Sequence, residues 1–217
     1  MKPAAFFFDL DGTLVDTEGL WAQAIADALA DRGVSVTREA MLSLVLGRSW
    51  IDIHATLQDE FPSIERVPAT KAAEILRPYY LRLTSDPQSV VIRSSVEFLK
   101  RAAKIAPCAI VSGSPHADVQ AAAETCGIAH LLSFVLGAED YGRGKPAPDG
   151  YLKAASMMDV DASECVVVED SSAGVRAGRA AGMRVVGLRR QDAAPQDLSG
   201  CEWLVDDLSE LDLNVVF

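Results

Sequence analysis

Asp9 and Asp11 stand one residue apart, directly after the apolar run Ala4-Ala5-Phe6-Phe7-Phe8 and just before Gly12-Thr13. Three other segments carry related side chains: Ser112-Gly113-Ser114, Lys145 within Gly144-Lys145-Pro146-Ala147-Pro148, and Glu169-Asp170. Each follows a short β-type run, and in an open parallel sheet ligands bind beyond the carboxyl ends of the strands, where loops converge. Three or four carboxylates, a hydroxyl and an ammonium are thus expected in one crevice. Crowded carboxylates repel, and some would have to hold protons unless a cation sat among them. Hard oxygen donors with space for water and a phosphate suit Mg²⁺. Lys145 and Ser112, with the Gly113 amide nearby, suit a phosphoryl group, offering a fixed positive charge and a hydroxyl donor. A carboxylate beside the metal can attack phosphorus, and a second one two residues on can protonate the leaving oxygen and later take a proton from water. Asp9 and Asp11 fit those two roles. An Asp-x-Asp by itself reads equally well as a turn, and it is the combination at successive strand ends that carries the chemistry.

The elements that must position these residues follow from hydrophobic patterning. Ala5–Phe8, Cys108–Val111, Phe134–Leu136, Val166–Val168 and Arg184–Leu188 are mostly apolar without alternation, as in a parallel sheet covered by helices on both faces. Cys201–Val205 reads as a short edge strand. Helical stretches are expected at Val96–Ala103, His116–Cys126, Asp149–Met158 and Ala173–Ala181, which gives a doubly wound α/β fold. Residues 17–85 break the alternation. Trp21, Ile25 and Leu29 recur at helical spacing, as do Ile75, Tyr79 and Leu83, and Gly33, Gly47, Pro62 and Pro68 divide the segment into about four helices. Thr37 is a plausible N-cap for the helix that follows it. A small helical domain inserted after the first strand is expected, with residues 1–16 and 86–217 forming the core domain.

Composition narrows the function classes. The 217 residues carry 20 Lys and Arg against 31 Asp and Glu, a formal net charge of −11. An acidic surface repels phosphate backbones, so no nucleic-acid partner is expected, and a small-molecule phosphate ester is. No apolar run approaches the roughly 18 residues of a membrane span, and the N-terminal run is too short for a signal-peptide core. Cys108, Cys126, Cys165 and Cys201 match no zinc spacing, and reduced thiols in a cytoplasmic protein are the expectation. Nothing resembles a long amphipathic seam, so a monomer is the default.

The segments Phe8-Asp9-Leu10-Asp11-Gly12-Thr13-Leu14-Val15-Asp16, Ile110-Val111-Ser112-Gly113-Ser114, Lys145-Pro146-Ala147-Pro148-Asp149 and Val168-Glu169-Asp170-Ser171-Ser172-Ala173-Gly174 together resemble the haloacid dehalogenase superfamily. They are most similar to its phosphatase and β-phosphoglucomutase-like branch, which carries a helical cap after the first strand. The resemblance implies a Rossmann-like core with strand order 3-2-1-4-5 and Mg²⁺ dependence. It also implies Asp9 as nucleophile and Asp11 as general acid/base, the latter offering its backbone carbonyl to the metal. Ser112 and Lys145 become the phosphate-binding pair, Asp170 a direct metal ligand, and Glu169 a partner acting directly or through water.

The second aspartate argues against haloalkanoate dehalogenation, which has no leaving alcohol to protonate. Mutase members of the family carry a histidine where this chain has Trp21, so hydrolysis of a sugar phosphate or similar metabolite is favoured over a β-phosphoglucomutase-type reaction. Trp21 reads equally as a packing residue. Arg48 and Ser49, in Gly47-Arg48-Ser49, resemble the family's substrate-specificity loop. From another class, a receiver-like signalling module also combines clustered acids, a hydroxyl residue, a lysine and Mg²⁺, but it has no need of Asp11 and lacks a helical insertion.

Overall fold

The computed structural model describes residues 2–45, 50–62, 65–83, 87–190 and 195–213. Six parallel strands form one sheet: β1 (Ala5–Phe8), β2 (Cys108–Val111), β3 (Leu132–Leu136), β4 (Cys165–Glu169), β5 (Arg184–Leu188) and β6 (Trp203–Val205), in the order β3-β2-β1-β4-β5-β6. The core is thus α/β and Rossmann-like, with the expected 3-2-1-4-5 order and β6 added beside β5. β4 runs one residue further than its apolar pattern indicated, so Glu169 is the last strand residue rather than the first of the loop.

β1 shows why these strands lack alternation. All four residues are fully buried, and successive side chains leave a strand on opposite faces. Phe6 and Phe8 meet the ring of Phe98 in α5 (Arg93–Ala102), with centroids 6.4 and 6.1 Å apart. Phe7 joins a second cluster with Tyr151 of α7 (Asp149–Met157) and Val175 of α8 (Ser172–Ala180). With helices on both faces, the residue just beyond each strand end is the first that can turn to a ligand. In register, Phe8 faces Ile110 of β2 on one side and Val168 of β4 on the other, so the chain following each of these strands emerges in one row.

The chain divides into two compact units, Met1–Val15 with Val91–Phe217, and Asp16–Val90. The second holds α1 (Glu18–Ala30), α2 (Arg38–Val45), α3 (Trp50–Glu60) and α4 (Ala69–Leu83). Thr37 caps α2, its Oγ1 accepting from the Ala40 amide at 3.2 Å. Ile25 and Leu29 of the first stripe lie in this unit's core with Met41, Leu44, Ile53 and Leu57, while α4 contributes Leu76. Trp21 stacks on Tyr80 with centroids 4.4 Å apart.

Cys108, Cys126 and Cys165 are buried and Cys201 partly so, none in a disulfide. Burial pushes the Cys108 thiol up to about 12 and the other three to about 11, which keeps them protonated and unreactive. Among the described residues no helix is long and apolar enough to cross a membrane.

Phe7→Ala should cost about 3–5 kcal/mol in urea unfolding, because neighbours on both sides prevent collapse into the cavity. Leu204→Ala, at a side chain 42% exposed, should stay within about 0.5 kcal/mol. Similar losses for the two would contradict this placement of the core.

Candidate active site

The turn after β1 sets the geometry. The Asp9 amide donates to the Val168 carbonyl at 3.0 Å, which fixes Asp9 beside the end of β4. The chain then reverses tightly, with the Leu14 and Val15 amides both donating to the Leu10 carbonyl, at 2.8 and 3.1 Å. Gly12 adopts φ +86°, and a Cβ there would overlap the Asp170 carboxylate, so both backbone conformation and space call for glycine. Thr13 Oγ1 donates to Asp170 Oδ1 at 3.2 Å, and Arg190 Nη1 to the Gly12 carbonyl at 3.1 Å.

Beyond this turn, Asp9, Glu169 and Asp170 each offer a carboxylate oxygen within 4.8 Å of the others. Lys145, from the loop between β3 and α7, reaches into the group. Its Nζ donates to Asp9 Oδ1 and, at 3.1 Å, to the Val111 carbonyl, and it forms an ion pair with Glu169 Oε1 at 2.6 Å. Burial works against the ammonium charge, but Asp9 and Glu169 outweigh it and hold the Lys145 pKa well above its ordinary value. Burial raises the Asp9 carboxyl to about 8; Lys145 opposes this, while Glu169 and Asp11 add to it. Three carboxylates against one ammonium leave an excess of negative charge among hard oxygen donors, a donor set that fits a divalent cation.

Asp11 points elsewhere. Its Oδ2 accepts from Ser114 Oγ at 2.7 Å and from Ser112 Oγ at 3.3 Å. Ser112 is buried, with its Oγ also accepting from the Ser114 amide at 3.0 Å and its carbonyl accepting from the Tyr141 hydroxyl at 2.8 Å. Gly113 lies between the two serines, with nothing within 4 Å of where a Cβ would sit. The Asp11 side chain therefore belongs to a serine-lined side of the site, while the carboxylate cluster holds Asp9, Glu169 and Asp170.

Of the residues singled out by sequence, Asp9, Asp11, Ser112, Lys145, Glu169 and Asp170 come together in one unit. Arg48 and Ser49 lie outside the described residues. Trp21 packs within the helical unit, between Tyr80 and Trp50. Several contributors were not read from sequence. Tyr151 is a core residue of α7 whose hydroxyl donates to Glu169 Oε1 at 2.8 Å. Ser171 Oγ donates to Glu169 Oε2 at 3.0 Å and accepts from the Gly174 amide, capping α8. Arg190 carried no motif at all.

Acids, a lysine and a buried serine thus gather at the carboxyl edge of a parallel α/β sheet, where doubly wound folds bind their ligands. A family model for haloacid dehalogenase-like hydrolases matches residues 3–182, and the chain belongs to that family. Hexitol phosphatase A of Escherichia coli (strain K12) is 34% identical over 207 residues, which is 90% of this chain and 88% of the relative. Fructose-1-phosphate phosphatase YqaB of the same organism is 31% identical over 187 residues, 86% of this chain and 96% of the relative. The crystal structure of a HAD family hydrolase from Deinococcus radiodurans R1, with bound phosphate and sodium, is similar with a TM-score of 0.75 and 28% identity, covering 99% of this chain and 95% of that one.

The Asp9 shift has a direct consequence for stability. The unfolded chain releases this proton near the ordinary 3.8, whereas the folded metal-free protein keeps it up to about 8, so the group's contribution falls as pH rises through that interval. In metal-free thermal unfolding, Asp9→Asn should gain on the wild type as pH goes from about 5 to about 8, and Mg²⁺ should raise the wild-type Tm most at the upper end. A constant difference between the two proteins would mean that Asp9 ionises as an ordinary carboxylate.

Proposed function

We propose that the protein is a Mg²⁺-dependent phosphomonoesterase that acts on a small phosphorylated metabolite of the sugar or polyol phosphate class through an aspartyl-phosphate intermediate. The observation that carries this reading is the Lys145 ammonium, its side chain only 14% exposed, set among the carboxylates of Asp9 and Glu169, with Asp170 alongside. The names of the hexitol and fructose-1-phosphate phosphatases support the substrate class.

Asp9 and Asp170 would hold the metal, with the Asp11 backbone carbonyl as a further ligand; when bound, the cation balances the excess acid and screens the phosphoryl oxygens from the attacking carboxylate. Lys145 and Ser112 hold the phosphoryl group. The Asp9 carboxylate attacks phosphorus in line, forming an acyl phosphate as the bond to the leaving alcohol breaks. Asp11 gives its proton to the departing oxygen. A water then attacks phosphorus while Asp11 takes one of its protons, releasing inorganic phosphate and restoring Asp9. The Ser114 hydroxyl on Oδ2 keeps the Asp11 carboxyl in one orientation for both transfers, which leaves the Ser112 hydroxyl for the phosphoryl group. Residues 17–85 serve as a cap, and Arg48 and Ser49 as contacts to the part of the substrate that is not transferred.

The wild-type protein should release inorganic phosphate from hexose and hexitol phosphates with Mg²⁺ and not after chelation. Asp9→Asn should remain folded and lose at least about 10³-fold in kcat. Substantial turnover by that variant would remove Asp9 as the nucleophile. Conversion of a hexose 1-phosphate to the 6-phosphate without phosphate release would replace the hydrolase reading with that of a mutase.

A further inference from the structure

Glu169 is the most enclosed ionisable group of the site. It is fully buried at the last position of β4, and α8 passes so close that a Cβ at Gly174 would overlap its carboxylate. Both oxygens are engaged by the protein itself. Oε1 takes the Tyr151 hydroxyl at 2.8 Å and the Lys145 ammonium at 2.6 Å. Oε2 takes the Ser171 hydroxyl at 3.0 Å and the Ser171 amide at 3.3 Å. A carboxylate has about four lone-pair positions, and four donor groups surround this one. Asp170, one residue on, is engaged through Thr13 at Oδ1 and lies against Gly12.

Tyr151 touches both members of the ion pair. Its side chain is 1% exposed; the hydroxyl lies on Glu169, and the ring lies under Lys145, with Nζ 5.3 Å from the centroid. Burial, reinforced by the charge of Glu169, holds the phenol well above its ordinary pKa, so it acts as a donor throughout the working range. The Lys145 ammonium has three N–H groups and three oxygen neighbours: Asp9 Oδ1, Glu169 Oε1 and the Val111 carbonyl. Glu169 and the Val111 backbone are fixed, so the direction toward Asp9 is the one left for a phosphate oxygen.

We propose that Tyr151 is a positioning residue, whose hydroxyl together with Ser171 fills the Glu169 carboxylate, so that Glu169 anchors Lys145 for phosphate and does not ligate the metal directly. The proposal rests on the phosphatase reading and assigns a division of labour within it: Asp9 and Asp170 face the metal, and Glu169 faces the lysine. Without the hydroxyl, Glu169 gains a vacant acceptor position, and the ammonium loses its fixed aim while keeping its charge.

Tyr151→Phe tests this, since it keeps the ring and its packing. Its metal-free Tm establishes folding, and calorimetric titrations with Mg²⁺ alone and then with inorganic phosphate at saturating Mg²⁺ separate the two roles. Phosphate affinity should fall about tenfold, the worth of one hydrogen bond to a charged group, while Mg²⁺ affinity stays within about twofold. A Mg²⁺ affinity that falls as far as the phosphate affinity would overturn the proposal, because Glu169 would then be a ligand. Unchanged phosphate affinity, or no phosphate binding by the wild type, would overturn it too. These are equilibrium measurements: a wild-type protein that binds phosphate but hydrolyses no ester would end the phosphatase reading and leave the Tyr151 comparison intact.

Discussion

The contact between the Lys145 ammonium and the carboxylates of Asp9 and Glu169 sets the terms for everything around it. Removing one charge from water costs several kcal/mol, and here an ammonium and at least two carboxylates are withdrawn together. That is tolerable only where attraction is strong and nearly every remaining lone pair finds a donor. The sheet supplies the attraction by proximity. Because Phe8 is level with Ile110 and Val168, residues distant in the sequence leave their strands in one row, and Lys145 can span from Asp9 to Glu169 while also reaching the Val111 carbonyl. The apolar layers beneath the strand ends keep the low dielectric that makes these contacts strong.

Much of the local sequence is a response to that crowding. Gly12 and Gly174 lack side chains where a methyl group would strike Asp170 and Glu169 respectively. Ser171 serves two needs, starting α8 by capping it and supplying the hydroxyl for Glu169. Thr13 does the same for Asp170, and Arg190 holds the carbonyl of Gly12 in the turn between the two aspartates and their partners. Each is a polar or absent side chain on otherwise apolar elements, positioned where a buried acid would be unsatisfied or displaced. Burial raises the Asp9 carboxyl to about 8, with Glu169 and Asp11 adding to the shift and Lys145 opposing it.

The fold was legible because burial on both faces leaves a clear pattern: Phe6, Phe7 and Phe8 in succession can belong only to a strand covered twice. The acids were legible because each follows such a run. Tyr151 was not, because its spacing on α7 is that of a core residue, and its ring does belong to the core; only its hydroxyl serves the site, and spacing says nothing about a hydroxyl. Ser114 has no signal of its own beyond its motif, and its bond to Asp11 depends on how two loops meet across β1 and β2. Arg190 lies after β5 and meets the Gly12 carbonyl, far from it in sequence, through the fold. β4 ends at Glu169, one residue beyond its apolar pattern, for a related reason: a charged residue reads as loop unless the donors that permit its burial are known.

The two units divide the physical tasks. Every group in the charged cluster comes from residues 1–15 or 91–217, and the core behind it contains Phe7, Tyr151 and Val175. The helical unit has a separate core of Ile25, Leu29, Met41 and Leu57, with no residue in common. The described donors to Glu169 and acceptors of Lys145 all belong to the first unit, so a substitution in that second core alters the packing of α1 to α4 and replaces none of them. Asp9 and Glu169, by contrast, share Lys145, so a change at either acid reaches the other. Chemistry is therefore fixed by mutual dependence within one unit, while the other is free to vary its polar surface. Trp21 belongs to that second packing, its ring stacked on Tyr80 within the helices.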